Sequence, residues 1–220
     1  MRVSFFCMKG TYSIGIDEVG RGPLAGPVTV AAVLLPRSFK FCPSHPRHKL
    51  RDSKRISPLK REQWFSYITE HPRIRYAVSS VSPALIDRIN VAQAANLAAT
   101  RALMKLVRRD MRPLTRSAIF LDGGLFVREK MVTGLHYLPK PRTIIGGDEK
   151  IPAIMFASIV AKVRRDRFMV RLHKTYPRYG FARHKGYGTR EHATALLNFG
   201  PSPAHRLTFI RKYLMLDTST

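Results

Sequence analysis

Two short apolar runs, Ile14 to Asp17 and VTVAAVLL from Val28 to Leu35, stand on either side of a segment dense in glycine and proline, EVGRGPLAGP. Runs of this length rich in β-branched residues favour strands, and the Gly and Pro between them force a tight connection. The chain is thereby committed early to two neighbouring strands, with Asp17 and Glu18 at the end of the first. Adjacent carboxylates at the end of an apolar strand are costly unless something compensates their charge.

Further along, strands and helices alternate. Pro36 to Lys54 is a basic, proline-punctuated loop, after which Ser57-Pro58 fits an N-cap followed by proline at the first helical position, predicting a helix to about Glu70. Ile74 to Val81 reads as a third strand, and Pro83 to Val107, with alanine and leucine at helical spacing, as one long helix. The run Ser117 to Leu121 stops at Asp122-Gly123-Gly124, a second carboxylate where a strand gives way to a turn. A strand around Arg142 to Ile145 precedes Gly146-Gly147-Asp148-Glu149 and a helix from about Pro152 to His173. In that helix Ala153, Ala157 and Ala161 make a narrow face suited to close packing on a sheet. With no internal repeat, this order predicts an α/β domain with a mixed sheet. A chain of 220 residues is enough for one sizeable core, so a single domain over residues 1–220 is expected.

Subtracting 14 acidic from 39 basic residues leaves +25, a surplus whose natural partner is a polyanion, above all nucleic acid. The cations are dispersed instead of gathered on one amphipathic helix, which argues against a membrane surface. Cys7 and Cys42 are the only cysteines and form no C-x-x-C pair, which excludes a disulfide framework and a cysteine zinc site. With no apolar stretch long enough to cross a bilayer, a cytoplasmic location is expected. The 8 histidines form no H-x-x-x-H or H-E-x-x-H pattern, which removes the usual zinc hydrolases.

Asp17, Glu18, Asp122 and Asp148 all lie at strand ends or beside glycine. Carboxylates converging there are the hard oxygen set that Mg²⁺ or Mn²⁺ prefers, and two such ions roughly 3.5–4 Å apart suit phosphodiester hydrolysis. Taken singly, each acid reads more readily as a helix cap, an Asx turn or an ion pair than as a metal ligand, Asp148 most of all because it lies near a helix start. On a regular strand Asp17 and Glu18 point to opposite faces, so the strand must be distorted there or Glu18 must act through its carbonyl. GRGPLAG has the spacing G-x-G-x-x-x-G and leads into a strand, so it is no dinucleotide cradle. It is either a plain tight turn or a place where backbone approaches a ligand, with Arg21 near a phosphate. Asp166, beside Lys162, Arg165 and Arg167, reads as an ion-pair partner, Trp64 as core, and His184 as structural or close to substrate.

GIDEVGRGPLAGPV, RDSKRIS, LDGG, GGDEK, ASIVAKVRRDR and YPRYGFARHKGYGT…GPSPAHR, in this order and spacing, closely resemble bacterial ribonuclease HII from about Gly15 to Phe209. GRG followed by PLAGP, and the short chain, separate the resemblance from the related ribonuclease HIII group. It implies a ribonuclease H-like fold, a mixed central sheet flanked by helices over about residues 14–175, with a helical C-terminal segment of about 176–220 covering the substrate cleft. The implied activity is endonucleolytic cleavage of RNA in RNA–DNA hybrids and nicking 5′ of a single ribonucleotide in duplex DNA, leaving a 3′-hydroxyl and a 5′-phosphate, with two Mn²⁺ or Mg²⁺ ions. The family's four acids correspond to Asp17, Glu18, Asp122 and Asp148. Its GRG loop, which meets the ribose 2′-OH through the backbone, corresponds to Gly20, Arg21 and Gly22, and its junction-sensing tyrosine to Tyr187. Lys54, Lys185 and Arg206 resemble positions along the nucleic-acid path and are expected at phosphates. Gly147 is expected to stand for the lysine of the family's K-G-D and Gly124 for the asparagine after D-G. The C-terminal RKYLMLDTST shows no docking motif for a sliding clamp, and a monomer is expected. Two other readings are open: a non-catalytic nucleic-acid-binding protein whose acids are caps, and a divalent-metal nuclease for DNA junctions or flaps.

Overall fold

The computed structural model describes residues 11–41, 56–109, 117–128 and 139–214; Cys7, Cys42 and Lys54 lie outside them. Strand β1 (Tyr12–Val19) pairs antiparallel with β2 (Val28–Pro36), and β2 pairs antiparallel with β3 (Arg75–Val81). On the other side of β1, β4 (Ser117–Asp122) runs parallel to it and β5 (Arg142–Ile144) parallel to β4. The order β3-β2-β1-β4-β5 is the mixed sheet that the pattern predicted.

The unbroken apolar run of β2 is explained by helices on both faces of the sheet. Val28, Val30, Ala32 and Leu34 join Ile14 and Ile16 of β1 beneath α3 (Val91–Arg109). Ala31, Val33 and Leu35 face the opposite layer, α1 (Pro58–Glu70) and α5 (Pro152–Thr175), with buried Trp64 and Phe156. A third cluster joins Leu24 and Ala25 of the GPLAGP loop to Met169 of α5 and to the C-terminal helices α6 (Phe181–His184), α7 (Arg190–Phe199) and α8 (Leu207–Leu214). Helix α1 starts as expected: Ser57 Oγ accepts the Lys60 N–H at 3.4 Å, with Pro58 in the first turn.

The single helix expected over Pro83 to Val107 is instead two, α2 (Pro83–Ile89) and α3, separated by Asn90 at φ 63°. Asparagine tolerates the left-handed region, and here its Oδ1 also accepts the Gln93 N–H at 2.9 Å, so the residue that ends α2 caps α3. In α5 the face of Ala153, Ala157 and Ala161 is buried, and β1 crosses it so closely that a Cβ on Gly15 would lie 2.1 Å from the Ala153 carbonyl carbon. A short helix α4 (Gly147–Lys150) precedes α5. Among the described residues, no helix is long and apolar enough to cross a membrane.

Candidate active site

A cleft of about 450 Å³ opens where β1 and β4 end, and Asp17, Glu18, Asp122, Asp148, Gly20, Arg21, Gly22 and Tyr187 all line it. Parallel pairing of β1 with β4, running to Ile16↔Leu121, carries Asp17 and Asp122 to the same level on adjacent strands. Asp122 Oδ1 accepts the Gly147 N–H at 2.7 Å, which draws the GGDE turn and the buried Asp148 to the same wall. Burial, then the charges of Glu18 and Asp122, push the Asp17 carboxyl well above the usual carboxylate range.

Glu18 does not use the first of the two expected devices, a distorted strand. The β1 ladder is regular through Glu18↔Val30 and Val19↔Thr29, so Glu18 does leave from the face opposite Asp17. The strand ends one residue later, and the side chain reaches the cleft around that end. Arg21 Nε meets Glu18 Oε1 at 2.8 Å while Nη2 donates to the Gly124 carbonyl at 3.1 Å, tying the end of β1 to the loop after β4.

Among the described residues, no three His, Cys, Asp or Glu side chains gather tightly enough to make a closed ion site. The four acids line one open cleft instead. The donor set nevertheless fits a hard divalent cation: it is all oxygen, leaves room for water and phosphate in the shell, and holds a carboxyl whose ionisation its neighbours oppose.

Gly124 sits at φ 82°, where a Cβ would lie 3.2 Å from Arg21 Nη1, so glycine leaves the arginine its room. Counting back from Asp148, the K-G-D lysine position falls on Gly146 and not on Gly147. At Gly147 a Cβ would meet Ile154 Cδ1 at 2.5 Å and Asp122 Oδ1 at 3.3 Å, so a side chain there would have to displace the end of Ile154 and crowd the Asp122 carboxylate. Lys150 Nζ, which donates to the Ile145 carbonyl at 2.7 Å, lies 3.9 Å from where a Gly146 Cβ would be.

One expected phosphate contact, that of Arg206, is corrected. Arg206 is buried, and its guanidinium donates to the carbonyls of Gly20, Arg21 and Gly26. Lys185 turns its Nζ onto the Ala182 carbonyl and does not line the cleft. Among the described residues, the cations that do line it, besides Arg21, are Arg61 and Lys162, both held by Asp166 at 3.6 and 2.8 Å, the ion-pair role expected for that acid. Ser158 and Lys162 reach the cleft from one face of α5, an i, i+4 spacing visible in the sequence but overlooked among so many charges.

Tyr187, 42% exposed, is anchored through its main chain by a run of histidines. The Ser202 N–H donates to His205 Nδ1 at 2.9 Å, His205 Nε2 lies 3.0 Å from His192 Nε2, and His192 Nδ1 lies 2.9 Å from the Tyr187 carbonyl. Read from the Ser202 N–H at one end to the Tyr187 carbonyl at the other, the run is satisfied with both rings neutral: His205 Nε2–H donates to His192 Nε2, and His192 Nδ1–H to Tyr187. Burial and then the neighbouring His192 hold His205 down at about 4, and burial chiefly lowers His192. His184 stacks on His192 at 4.5 Å with Nε2 on the Tyr179 carbonyl, a structural role.

A depressed folded pKa gives stability that is present above the unfolded value and lost as pH falls through the folded one. Stability is therefore expected to drop between pH of roughly 6.5 and 4, by on the order of 3 kcal/mol for His205 alone. Urea unfolding at pH 7.5 and 4.5 measures it, and His205→Gln should flatten the dependence. Equal stability at the two pH values would contradict the neutral chain.

The ribonuclease HII family model matches residues 14–213. Proteins named ribonuclease HII from Endomicrobium trichonymphae and Thermus thermophilus are 44% and 43% identical over 205 and 204 residues, each covering 93% of this chain and 88% and 89% of theirs. One from Nitratidesulfovibrio vulgaris is 45% identical over 198 residues, 89% of this chain and 84% of its own. The fold is similar to that of ribonuclease H2 from Pyrococcus horikoshii, with a TM-score of 0.69 at 24% identity over 95% of this chain and all (100%) of that one. It is also similar to a structure of the PCNA:RNase HII complex from Archaeoglobus fulgidus (TM-score 0.63, 25% identity, 89% and 93% covered) and to Bst-RNase HIII in complex with Mn²⁺ (0.69, 19%, 97% and 72%). With relatives this close along nearly its whole length and the four acids gathered on one cleft, the chain belongs to the ribonuclease HII family.

Proposed function

We propose that the chain nicks duplex DNA on the 5′ side of an embedded ribonucleotide and cleaves the RNA strand of hybrids, leaving a 3′-hydroxyl and a 5′-phosphate. Endoribonuclease action on RNA–DNA hybrids comes with the family. The observation that carries the finer reading is that the four acids and the GRG loop line a single cleft. Asp17, Glu18, Asp122 and Asp148 would hold two divalent cations, Mg²⁺ or Mn²⁺, which when bound activate water and steady the leaving oxygen.

The chain's own groups account for the rest. Asp122 keeps the Asp148 turn in place through the Gly147 amide. Arg21 is turned toward Glu18 and Gly124, so the GRG segment offers main chain and not a guanidinium to the sugar, and the 2′-OH is the group that separates RNA from DNA. Arg61 and Lys162 supply positive charge for backbone phosphates without reading sequence. Tyr187 presents a half-open ring at the cleft, suited to packing against the neighbouring nucleotide.

A duplex carrying one ribonucleotide, incubated with the protein and Mg²⁺ or Mn²⁺, should be nicked once, and neither chelator-treated protein nor an all-deoxy duplex should give product. Cleavage of deoxy junctions or flaps would favour the junction nuclease. Metal-independent, salt-sensitive binding without cleavage would favour the non-catalytic protein.

A further inference from the structure

Beneath the GRG loop lie two arginines, Arg165 of α5 and Arg206 just before α8, both fully buried. Every hydrogen bond from their guanidiniums goes to a main-chain carbonyl. Arg165 donates from Nε to Pro27 at 3.0 Å, from Nη1 to Lys185 at 3.0 Å and from Nη2 to Ala25 at 3.1 Å. Arg206 donates from Nε to Gly26 at 3.0 Å, from Nη1 to Arg21 at 2.8 Å, and from Nη2 to Gly20 at 2.6 Å and Gly26 at 2.9 Å. Backbone rungs lock the same segments together: Leu24 N–H to the Gly186 carbonyl, Gly26 N–H to Ala204, and Arg206 N–H to Leu24, each at 2.8 Å. Gly20, at φ 88°, is wrapped so tightly that a Cβ there would lie 2.3 Å from Arg165 Nε.

Burying two cations against neutral carbonyls is an expensive way to fill space that methionine or leucine would fill more cheaply. What those residues lack is the planar fork of five donors, which sets the orientation of several peptide planes at once. Burial lowers both arginines, Arg206 to about 9, which is still above neutral pH. The orientation has a definite result. In a trans peptide the C=O and N–H point in opposite directions. Drawing the Gly20 and Arg21 carbonyls onto Arg206 therefore turns the amides of Arg21 and Gly22 away from it, in a loop that lines the cleft.

We propose that Arg206 is a positioning residue for ribonucleotide recognition: by holding the Gly20 and Arg21 carbonyls inward it presents main-chain N–H donors to the sugar 2′-oxygen, while Arg165 braces the following Ala25 to Pro27 segment and packs under Gly20. This rests on the ribonucleotide-nicking reading above. It also replaces the expected phosphate contact of Arg206 with action through the loop.

The test compares the parent protein with Arg206→Lys and Arg206→Ala by kcat and KM on a single-ribonucleotide duplex. It adds the affinity ratio of that duplex to all-DNA in Ca²⁺, and hydrogen exchange of the Leu24 and Gly26 amides. Arg206→Lys keeps a charge but not the fork. It should leave KM within about threefold, lower kcat about 50-fold and bring the affinity ratio close to one. Guanidinium ion should restore about tenfold of the activity lost by Arg206→Ala, and methylammonium should not. If the alanine variant does not fold, the lysine variant decides alone. Parent-like kcat and affinity ratio in Arg206→Lys, or failed rescue of a folded Arg206→Ala, would overturn the proposal. A parent protein that shows no ribonucleotide preference would sink the nicking reading instead. The positioning claim is then judged by exchange, which must quicken at Leu24 and Gly26 in Arg206→Lys whatever the substrate; unchanged exchange refutes it.

Discussion

Asp122→Asn is expected to fold like the parent and to nick a single-ribonucleotide duplex about 10³-fold more slowly or worse, a loss of about 4 kcal/mol or more of transition-state stabilisation. The change is nearly isosteric, and an asparagine Oδ1 can still accept the Gly147 N–H that Asp122 takes at 2.7 Å, so the turn carrying Asp148 stays where it is. What disappears is a negative charge beside Asp17, whose carboxyl is already held high by burial and by the charges of Glu18 and Asp122. Stability should consequently be unchanged or raised while activity collapses. Thermal unfolding and the nicking assay, run on the same preparation, separate this from a folding defect. An active Asp122→Asn, or one that loses activity only in step with its melting temperature, would remove Asp122 from the chemistry.

Gly15→Ala should have the largest effect on stability, about 3 kcal/mol or more, visible as a drop in melting temperature on the order of 10 °C. The added methyl would fall 2.1 Å from the Ala153 carbonyl carbon, 2.2 Å from the Ile154 nitrogen and 2.4 Å from the Ala153 oxygen. All three are backbone atoms, so no rotamer change relieves the clash, and strand or helix must move. Asp17 is two residues on and faces the same α5 layer, so displacement also spoils the cleft. Urea denaturation gives the measurement, and a midpoint matching the parent would show that β1 and α5 are not packed this closely.

Much of this arrangement is legible in the amino-acid order because local chemistry and global fold agree. The strands carrying Asp17 and Asp122 announce themselves as short β-branched runs cut off by glycine, and α1 by its Ser-Pro start. The break between α2 and α3 is hidden because Asn90, unlike Gly or Pro, is also at home in a helix. Arg165 is hidden differently. Within VRRDR it looks like one more solvated cation, yet continuing the alanine series 153, 157, 161 by four residues reaches Arg165 and then Met169, and all five are buried. That periodicity was the signal for a buried arginine, and the high background of positive charge masked it. Arg206 had no such signal, because its burial depends on a loop more than 180 residues earlier, at |i−j| = 186.

That separation also bears on biosynthesis. While the ribosome extends the chain, the first two strands and their hairpin exist long before the residue that orients the Gly20 carbonyl. Closing so large a loop is among the last and entropically dearest contacts. A nascent chain thus carries Asp17, Glu18, Asp122 and Asp148 while its GRG segment is still unset, and the loop orientation proposed above for ribonucleotide recognition is complete only after the C-terminal segment that carries Arg206 has docked.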